Sequence, residues 1–308
     1  MKTILVTGVT GFIGRHVARL FNDLGWSVVG LGTSTPENAP LSSLNQYHKL
    51  VLPSPKLEDL VKEVSPLVCI HCAGRASVPL SLNQPYADFN ANVGSTFNLL
   101  NALRLSAPKC RLVYLSSAAV YGNPQNLPIT ETHILAPISP YGFHKSICEQ
   151  LCKEYYEIYG LPTVSTRIFS AYGPGIRRQV VWDICNKILT QPIASLQGTG
   201  LESRDFIHVQ DIARAIYLLV ENAPFEAETY NISSGQETTI KSLAYLIASN
   251  LNKAPNCIEF DGNIPAGNPA NWRGDNSCLM KLGFTPKISL EQGISVYSQW
   301  CRAEIVGW

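Results

Sequence analysis

Residues 139–146 read SPYGFHKS and set a phenol, Tyr141, four positions before an ammonium, Lys145, directly after a proline. Proline suits the first turn of a helix, and YGFHKSICEQLCKEYYEIYG then keeps helical spacing as far as Gly160. Tyr141 and Lys145 therefore share one helix face, one turn apart. A free phenol, with a pKa of about 10, carries protons poorly at neutral pH, and an ammonium fixed a few ångström away favours its ionised form. The pair suits proton transfer to or from an alcohol or a carbonyl, although a solvated Tyr/Lys pair on an ordinary helix has the same spacing.

A second group with chemical potential is Ser116-Ser117, at the end of the apolar run RLVYLSSAAV. In open α/β sheets ligands bind beyond the carboxyl ends of the strands, where a hydroxyl can hold a reacting oxygen; serines there also serve as simple turn caps. The third is TGVTGFIG, in which Gly8, Gly11 and Gly14 follow a strand and open a helix. Such glycines let the backbone approach a pyrophosphate, whose charge then lies on free amides at the helix N-terminus.

These groups need a scaffold, and the first half of the chain spells one out. KTILVTG reads as a strand, FIGRHVARLFNDLG as a helix with Ile13, Val17, Leu20 and Leu24 at helical spacing, and SVVGLG, LVCIHCAG and RLVYLSSAAV as a second, third and fourth strand. YADFNANVGSTFNLLNALRLS reads as one helix between the last two strands. Continuous apolar strands separated by helices predict a doubly wound parallel α/β sheet, of Rossmann type given the glycine loop. Beyond about residue 171, stretches such as AYGPGIRR, QPIASLQGTG and FDGNIPAGNPANWRGD predict specificity loops on a smaller lobe rather than a second sheet of similar size.

Composition excludes several classes. With 24 basic against 23 acidic residues and a net charge of +1, the chain carries no electrostatic footprint for nucleic acid or an anionic membrane, and a small ligand is expected. No apolar run reaches the roughly 18 residues of a membrane helix. Nine cysteines, and a start that leads into glycines rather than a secretion signal, predict a reduced, cytoplasmic setting. Cys69 and Cys72 form a single CxxC inside an apolar strand, with no second pair at matching spacing, so buried thiols and no metal are expected.

Taken together, TGVTGFIG, LSSAAVYG and SPYGFHK resemble the extended short-chain dehydrogenase/reductases, in particular their nucleotide-sugar epimerases, dehydratases and reductases. The resemblance runs on through RIFSAYGPG, SRDFIHVQDIA, YNISSG and LGFTPKISLEQGI, almost the whole chain. It implies a Rossmann domain over 1–171 plus about 206–233, a nucleotide-sugar-binding lobe over about 172–205 plus 234–308, and a homodimer. It further implies Ser117, Tyr141 and Lys145 as the catalytic triad: Tyr141 as acid/base, Ser117 orienting the reacting oxygen, Lys145 supporting the phenolate and holding the nicotinamide ribose. The cofactor set it implies is Gly8, Gly11, Phe12, Ile13, Gly14, Arg15, Gly32, Thr33, Ser34, Ala73 and Asn92, with Tyr141 and Lys145. Asn92 also suits a plain helix-interior hydrogen bond. For the nucleotide sugar it points to Ser117, Ser170 and Arg204, a guanidinium being apt for paired phosphates.

Departures from the family pattern narrow the reaction. Ala118 and Ala119 stand where dehydratases place acidic residues, which argues against elimination, and no cysteine adjoins Ser117 as it does in epimerising reductases. Where NAD-preferring members end their second strand on a carboxylate for the adenosine ribose, this chain has Gly32-Thr33-Ser34, and Arg15 is available for a 2′-phosphate. NADP(H) is therefore expected ahead of NAD(H). Ser170 replaces the usual asparagine, and PAGN at 265–268 replaces an arginine-containing clamp, so Arg177, Arg178 and Arg273 become candidates to compensate. On these grounds an NADPH-dependent reductase of a nucleotide-linked 4-keto sugar ranks first, an NAD-dependent 4-epimerase second, and a catalytically silent dinucleotide sensor last.

Overall fold

The computed structural model describes residues 2–35, 41–263 and 269–307, and its centre is one sheet of seven parallel strands. In chain order the elements begin β1 (Thr3–Thr7), α1 (Phe12–Asp23), β2 (Ser27–Gly32), β3 (Gln46–Lys49), α2 (Leu57–Val64), β4 (Val68–His71), α3 (Val78–Asn83), α4 (Pro85–Phe89), α5 (Ser95–Ser106) and β5 (Arg111–Ser117). There follow α6 (Pro140–Tyr159), β6 (Thr163–Ile168), β7 (Ser170–Tyr172), α7 (Gln179–Thr190), β8 (Ala194–Leu196), β9 (Ser203–Arg204), β10 (Phe206–His208), α8 (Val209–Asn222) and β11 (Glu226–Ile232). The chain closes with β12 (Thr238–Thr239), α9 (Ile240–Asn250), β13 (Ile258–Phe260), α10 (Ser277–Met280) and α11 (Leu290–Val306).

Across the sheet the order is β11, β6, β5, β4, β1, β2, β3. The chain winds outward from β1 to β3, then returns to the other side of β1 for β4 onward, and this reversal opens a crevice at the carboxyl ends of the central strands. β1, β2 and β4 are largely apolar because both faces of the sheet are covered. Val17, Phe21, Ile212, Ile216 and Leu219 of α1 and α8 seal one face; Leu57, Val61, Leu99, Leu103 and Cys152 of α2, α5 and α6 seal the other. Each such side chain contributes about 2 kcal/mol by leaving water.

Two expectations need correction. The strand that ends in Ser116-Ser117 is the fifth in chain order, because Gln46–Lys49 adds an edge strand that pairs only with β2. Its sequence, QYHK, is polar and half-exposed, as an edge strand allows, and so lacks the apolar signature of its neighbours. The stretch read as one helix over 86–106 is broken by a π turn at Asn90–Gly94. Thr96 Oγ1 donates to the Asn92 carbonyl and Ser95 Oγ to that of Asn90, bonds by which side chains enter the helical ladder.

Outside the main sheet the described residues form three short two-stranded pairs, β7 with β10, β8 with β13 and β9 with β12, the last two in the C-terminal part. Its core is helical: Val181 and Ile184 of α7, Leu243 and Ile247 of α9, and Ile294 and Tyr297 of α11 pack together. This layer stands over the strand ends and closes the crevice into a cleft.

Candidate active site

The cleft encloses about 710 Å³ and is lined by the glycine loop, the ends of β5 and β6, the start of α6, and α7 with the β8–β9 segment opposite. Gly8 has φ +66°, and a Cβ there would lie 2.7 Å from the Ala73 amide nitrogen; a Cβ on Gly14 would strike the Gly8 carbonyl. The loop therefore packs backbone to backbone. Gly11 caps α1 without any side-chain bond and the first turn holds no acidic residue, so the amides of Phe12, Ile13 and Gly14 remain available at the cleft. This cradle fits the pyrophosphate of a dinucleotide.

At the far end of the loop, Arg15 folds back to donate to the Gly11 and Thr10 carbonyls at 3.2 and 3.1 Å. Thr10 in turn borders Gly32: a Cβ on Gly32 would lie 3.0 Å from the Thr10 side chain and from the Tyr47 hydroxyl, which donates to the Ser34 carbonyl at 2.7 Å. Thr33 beside them is exposed. Arg15 and the end of β2 thus border one stretch of backbone.

The two serines part company. Ser117 Oγ accepts from the Ala119 amide at 3.2 Å, capping a 3₁₀ turn over Ala118–Tyr121 at the cleft wall. Ser116 Oγ donates instead to Glu149 at 2.5 Å. Across from Ser117, Ser139 starts α6 by accepting from the Gly142 amide, and Tyr141 follows at the cleft, 8% exposed. Lys145 Nζ donates to the Leu115 carbonyl at 2.8 Å and lies 5.9 Å from the centre of the Tyr141 ring. The structure thus brings Ser117, Tyr141 and Lys145 to one wall of the cleft.

Asn92 is buried behind that wall rather than lining it. Its Nδ2 donates to the Asp88 carbonyl, while Oδ1 has no partner and sits where a Cβ on Gly74 would come within 2.5 Å. The Asn92 carbonyl ends a directed chain. Thr96 Oγ1 gives it its proton, so Thr96 must accept from His71 Nε2 at 3.2 Å; His71 Nδ1 then accepts from Thr7 Oγ1 at 2.7 Å, which itself accepts from the Ala73 amide. Burial, with some help from Lys145, lowers the His71 pKa to about 3, so the ring is neutral in this tautomer. Nothing in the local sequence LVCIHCAG marks His71 for this tie between the cofactor loop and the π turn. Cys72 opens onto the cleft, its thiol pushed up to about 12 by burial against the opposing charge of Lys145.

On the opposite wall stands Arg204. It donates to the carbonyls of Ser203 and Ala270 at 2.7 and 3.2 Å and lies over the Trp272 ring at 5.6 Å. Burial lowers its pKa to about 10; Glu202 opposes the shift, but its carboxylate is taken up by the amides of Thr199 and Gly200. Among the described residues Arg204 forms no ion pair, an arrangement that welcomes an anion. Ser170 and Arg178 also line the cleft, Arg178 reaching the Ala76 carbonyl at 3.2 Å. Arg177 lies outside the lining because its guanidinium pairs with Glu304, Nε at 2.9 Å, and covers Trp300. Arg273 is likewise outside it, its carbonyl accepting from the Ile129 amide at 2.8 Å. The PAGN segment at 265–268 lies outside the described residues. Trp272 is the unforeseen member of this wall, fixed by its indole N–H on the Gly122 carbonyl at 3.1 Å.

The model of the NAD dependent epimerase/dehydratase family matches residues 4–233. The chain belongs to this family. Its members modify nucleotide sugars, and the seven-stranded sheet with its small C-terminal pairs is the family's fold. Within the family, the chain is 30% identical to a putative UDP-glucose 4-epimerase of Methanocaldococcus jannaschii, over 97% of this chain and 98% of that protein. It is 29% identical to the GDP-6-deoxy-D-mannose reductase of Pseudomonas aeruginosa, over 97% of each. The UDP-glucose 4-epimerase of Thermus thermophilus, solved in complex with NAD, superposes with a TM-score of 0.88 at 28% identity, over 97% of this chain and 99% of that one.

Among the described residues no group of His, Cys, Asp and Glu is placed to hold a metal ion, and no helix is long and apolar enough to cross a membrane.

Proposed function

We propose that this protein epimerises a nucleotide-diphosphate hexose at C4, with Tyr141 as the group that takes and returns the hydroxyl proton. One observation carries the reading: Ser117, Tyr141 and Lys145 meet at one wall of a cleft whose other wall offers the unpaired Arg204 guanidinium. Full-length likeness to UDP-glucose 4-epimerases supports epimerisation over the reductase that the sequence placed first.

The glycine cradle would hold a dinucleotide through the amides of α1, with Lys145 at its ribose, and a bound nicotinamide supplies the hydride acceptor and donor. Ser117 fixes the C4 oxygen by a hydrogen bond. Tyr141, acting as base and then as acid, takes the C4 hydroxyl proton as the ketone forms and gives it back as the alcohol is restored on the other face. Arg204 anchors the diphosphate, which leaves the sugar free to present either face. Proton and hydride both return, so no cofactor is consumed.

A second reading keeps a specific observation in its favour. The end of β2 has no carboxylate for the adenosine ribose: Gly32 stands there, against the Thr10 side chain and the Tyr47 hydroxyl. With Arg15 nearby, this supports NADP(H), and with it net reduction of a nucleotide-linked 4-keto sugar. The deciding experiment incubates the protein with UDP-hexoses and, separately, with nucleotide-linked 4-keto-6-deoxy sugars plus NADPH or NADH. C4 inversion followed by NMR without net absorbance change at 340 nm supports the epimerase; stoichiometric loss of NADPH overturns it for the reductase.

We further propose a homodimer in a reducing cytoplasm. Phe97 and Leu105 of α5 and Phe143, Ile147 and Ile158 of α6 are all at least 40% exposed, a set of large apolar side chains that a second copy would cover. All nine cysteines are free thiols.

A further inference from the structure

The cleft end of β5 is only half supported. Its pairing with β4 stops at His71 opposite Tyr114, whereas its pairing with β6 continues to Ser117 opposite Ile168. Leu115, Ser116 and Ser117 therefore have a ladder on one side and the cleft on the other. Two side chains of α6 make up the difference: Lys145 holds the Leu115 carbonyl, and Glu149, one turn further on, accepts from Ser116 Oγ at 2.5 Å.

Glu149 is itself immobilised. Arg167, opposite Ser116 in β6, grips both of its oxygens, Nη2 at 2.7 Å and Nε at 3.1 and 3.2 Å. Nη1 of Arg167 donates to the Tyr121 hydroxyl and the Glu131 carbonyl, each at 2.9 Å, and Tyr121 donates to Asn231 Oδ1 at 2.7 Å. Glu149, Arg167, Tyr121 and Asn231 are all buried. Burial acts against the Arg167 charge, but the bonds and charge of Glu149 outweigh it and hold the guanidinium above its ordinary pKa. A buried network with this many bonds is stiff, and it binds β5, β6, the 3₁₀ turn after Ser117 and α6 into one unit.

We propose that Glu149, acting through Ser116, is a positioning residue that sets Ser117 against Tyr141. Ser117 rides on the end of β5 and Tyr141 on the start of α6, so their relative placement depends on how those two elements are tied. Lys145 has a share in the cofactor; Glu149 does not line the cleft and has only the structural duty. The inference rests on the acid–base reading above, and catalytic geometry has a tolerance of about 0.5 Å.

Ser116→Ala tests it, because it removes one buried hydroxyl and leaves the Glu149–Arg167 pair in place. Kinetics on the nucleotide sugar turned over by the native protein should show kcat down about tenfold or more, with KM and cofactor affinity within about twofold. A crystal structure of the variant should show Ser117 Oγ displaced relative to the Tyr141 hydroxyl by more than about 0.5 Å. Unchanged kcat, or a fall in kcat without displacement, overturns the proposal. If the native protein turns over no nucleotide sugar, the functional reading has failed on its own; the pair of crystal structures then decides the positioning, displacement upholding it and coincidence overturning it.

Discussion

The Lys145 ammonium lies 5.9 Å from the centre of the Tyr141 ring, one helical turn along α6, and donates to the Leu115 carbonyl at 2.8 Å. Lysine is thus pinned to the strand that delivers Ser117 while it faces the phenol. The two residues should separate experimentally. Tyr141→Phe removes the proton carrier alone, so turnover should drop by about 100-fold or more while cofactor affinity, read by nicotinamide fluorescence, stays within about twofold. Lys145→Met should lose both. Full turnover by the phenylalanine variant would remove Tyr141 as the proton carrier; a silent sensor would turn over no nucleotide sugar, and its function would be unaffected by the substitution.

Arg204 should show opposite effects on binding and stability. Its charge is held in the cleft wall with backbone carbonyls for partners, so Arg204→Met removes a desolvated cation as well as an anion contact. KM for the nucleotide sugar should rise about tenfold or more, and Tm should hold or rise. A Tm loss with KM unchanged would make Arg204 a structural bridge to Ala270.

Cofactor choice should turn on Arg15. Arg15→Ala should weaken NADPH about tenfold relative to NADH, measured by fluorescence titration of each. The ratio is the useful quantity, since loss of the bonds to Thr10 and Gly11 can loosen the loop for both cofactors alike. An unchanged ratio would remove the observation that favours the reductase.

Stability should fall in acid through buried neutral histidines. Burial lowers His71 to about 3 and His208 to about 4, Asp211 opposing the latter, against about 6.5 unfolded. Between those values the unfolded chain binds the proton and the folded chain does not, so stability is complete above about pH 6.5 and is lost as pH falls towards 4. Each histidine adds a slope of up to about 1.4 kcal/mol per pH unit. Denaturant unfolding at pH 7, 6 and 5 should show this, and His71→Gln should flatten the profile. An equally steep profile in that variant would remove His71 from the account.

The apolar face on α5 and α6 should control assembly. Ile147→Asp places a charge on the exposed apolar face of α6, one turn from Phe143, and sedimentation should then report monomer where the native chain sediments as dimer. A native chain that sediments as monomer refutes the dimer.

The sequence by itself determined the elements whose signals are local. Apolar runs named the central strands, the glycine spacing named the turn into α1, and the helical register after Pro140 placed Tyr141 and Lys145 on one face, because periods of 2 and 3.6 residues are written into the chain one element at a time. Tertiary structure decided whatever depends on lateral neighbours. Both Ser116 and Ser117 line the cleft, and tertiary structure bound the Ser116 hydroxyl to Glu149 and left that of Ser117 capping the 3₁₀ turn, a choice set by strand alternation together with what lies on each side. It drew Arg177 to Glu304 and left Arg204 unpaired, although both are arginines in loop-rich sequence. It built the chain from Ala73 through His71 to Asn92 out of residues on β1, β4 and the π turn, and it admitted QYHK as an edge strand with no apolar run to announce it. Arg177 and Glu304 stand 127 residues apart and meet where α11 packs on α7, while the other pairs meet where the crossover winding of the sheet lays distant strands and helices side by side.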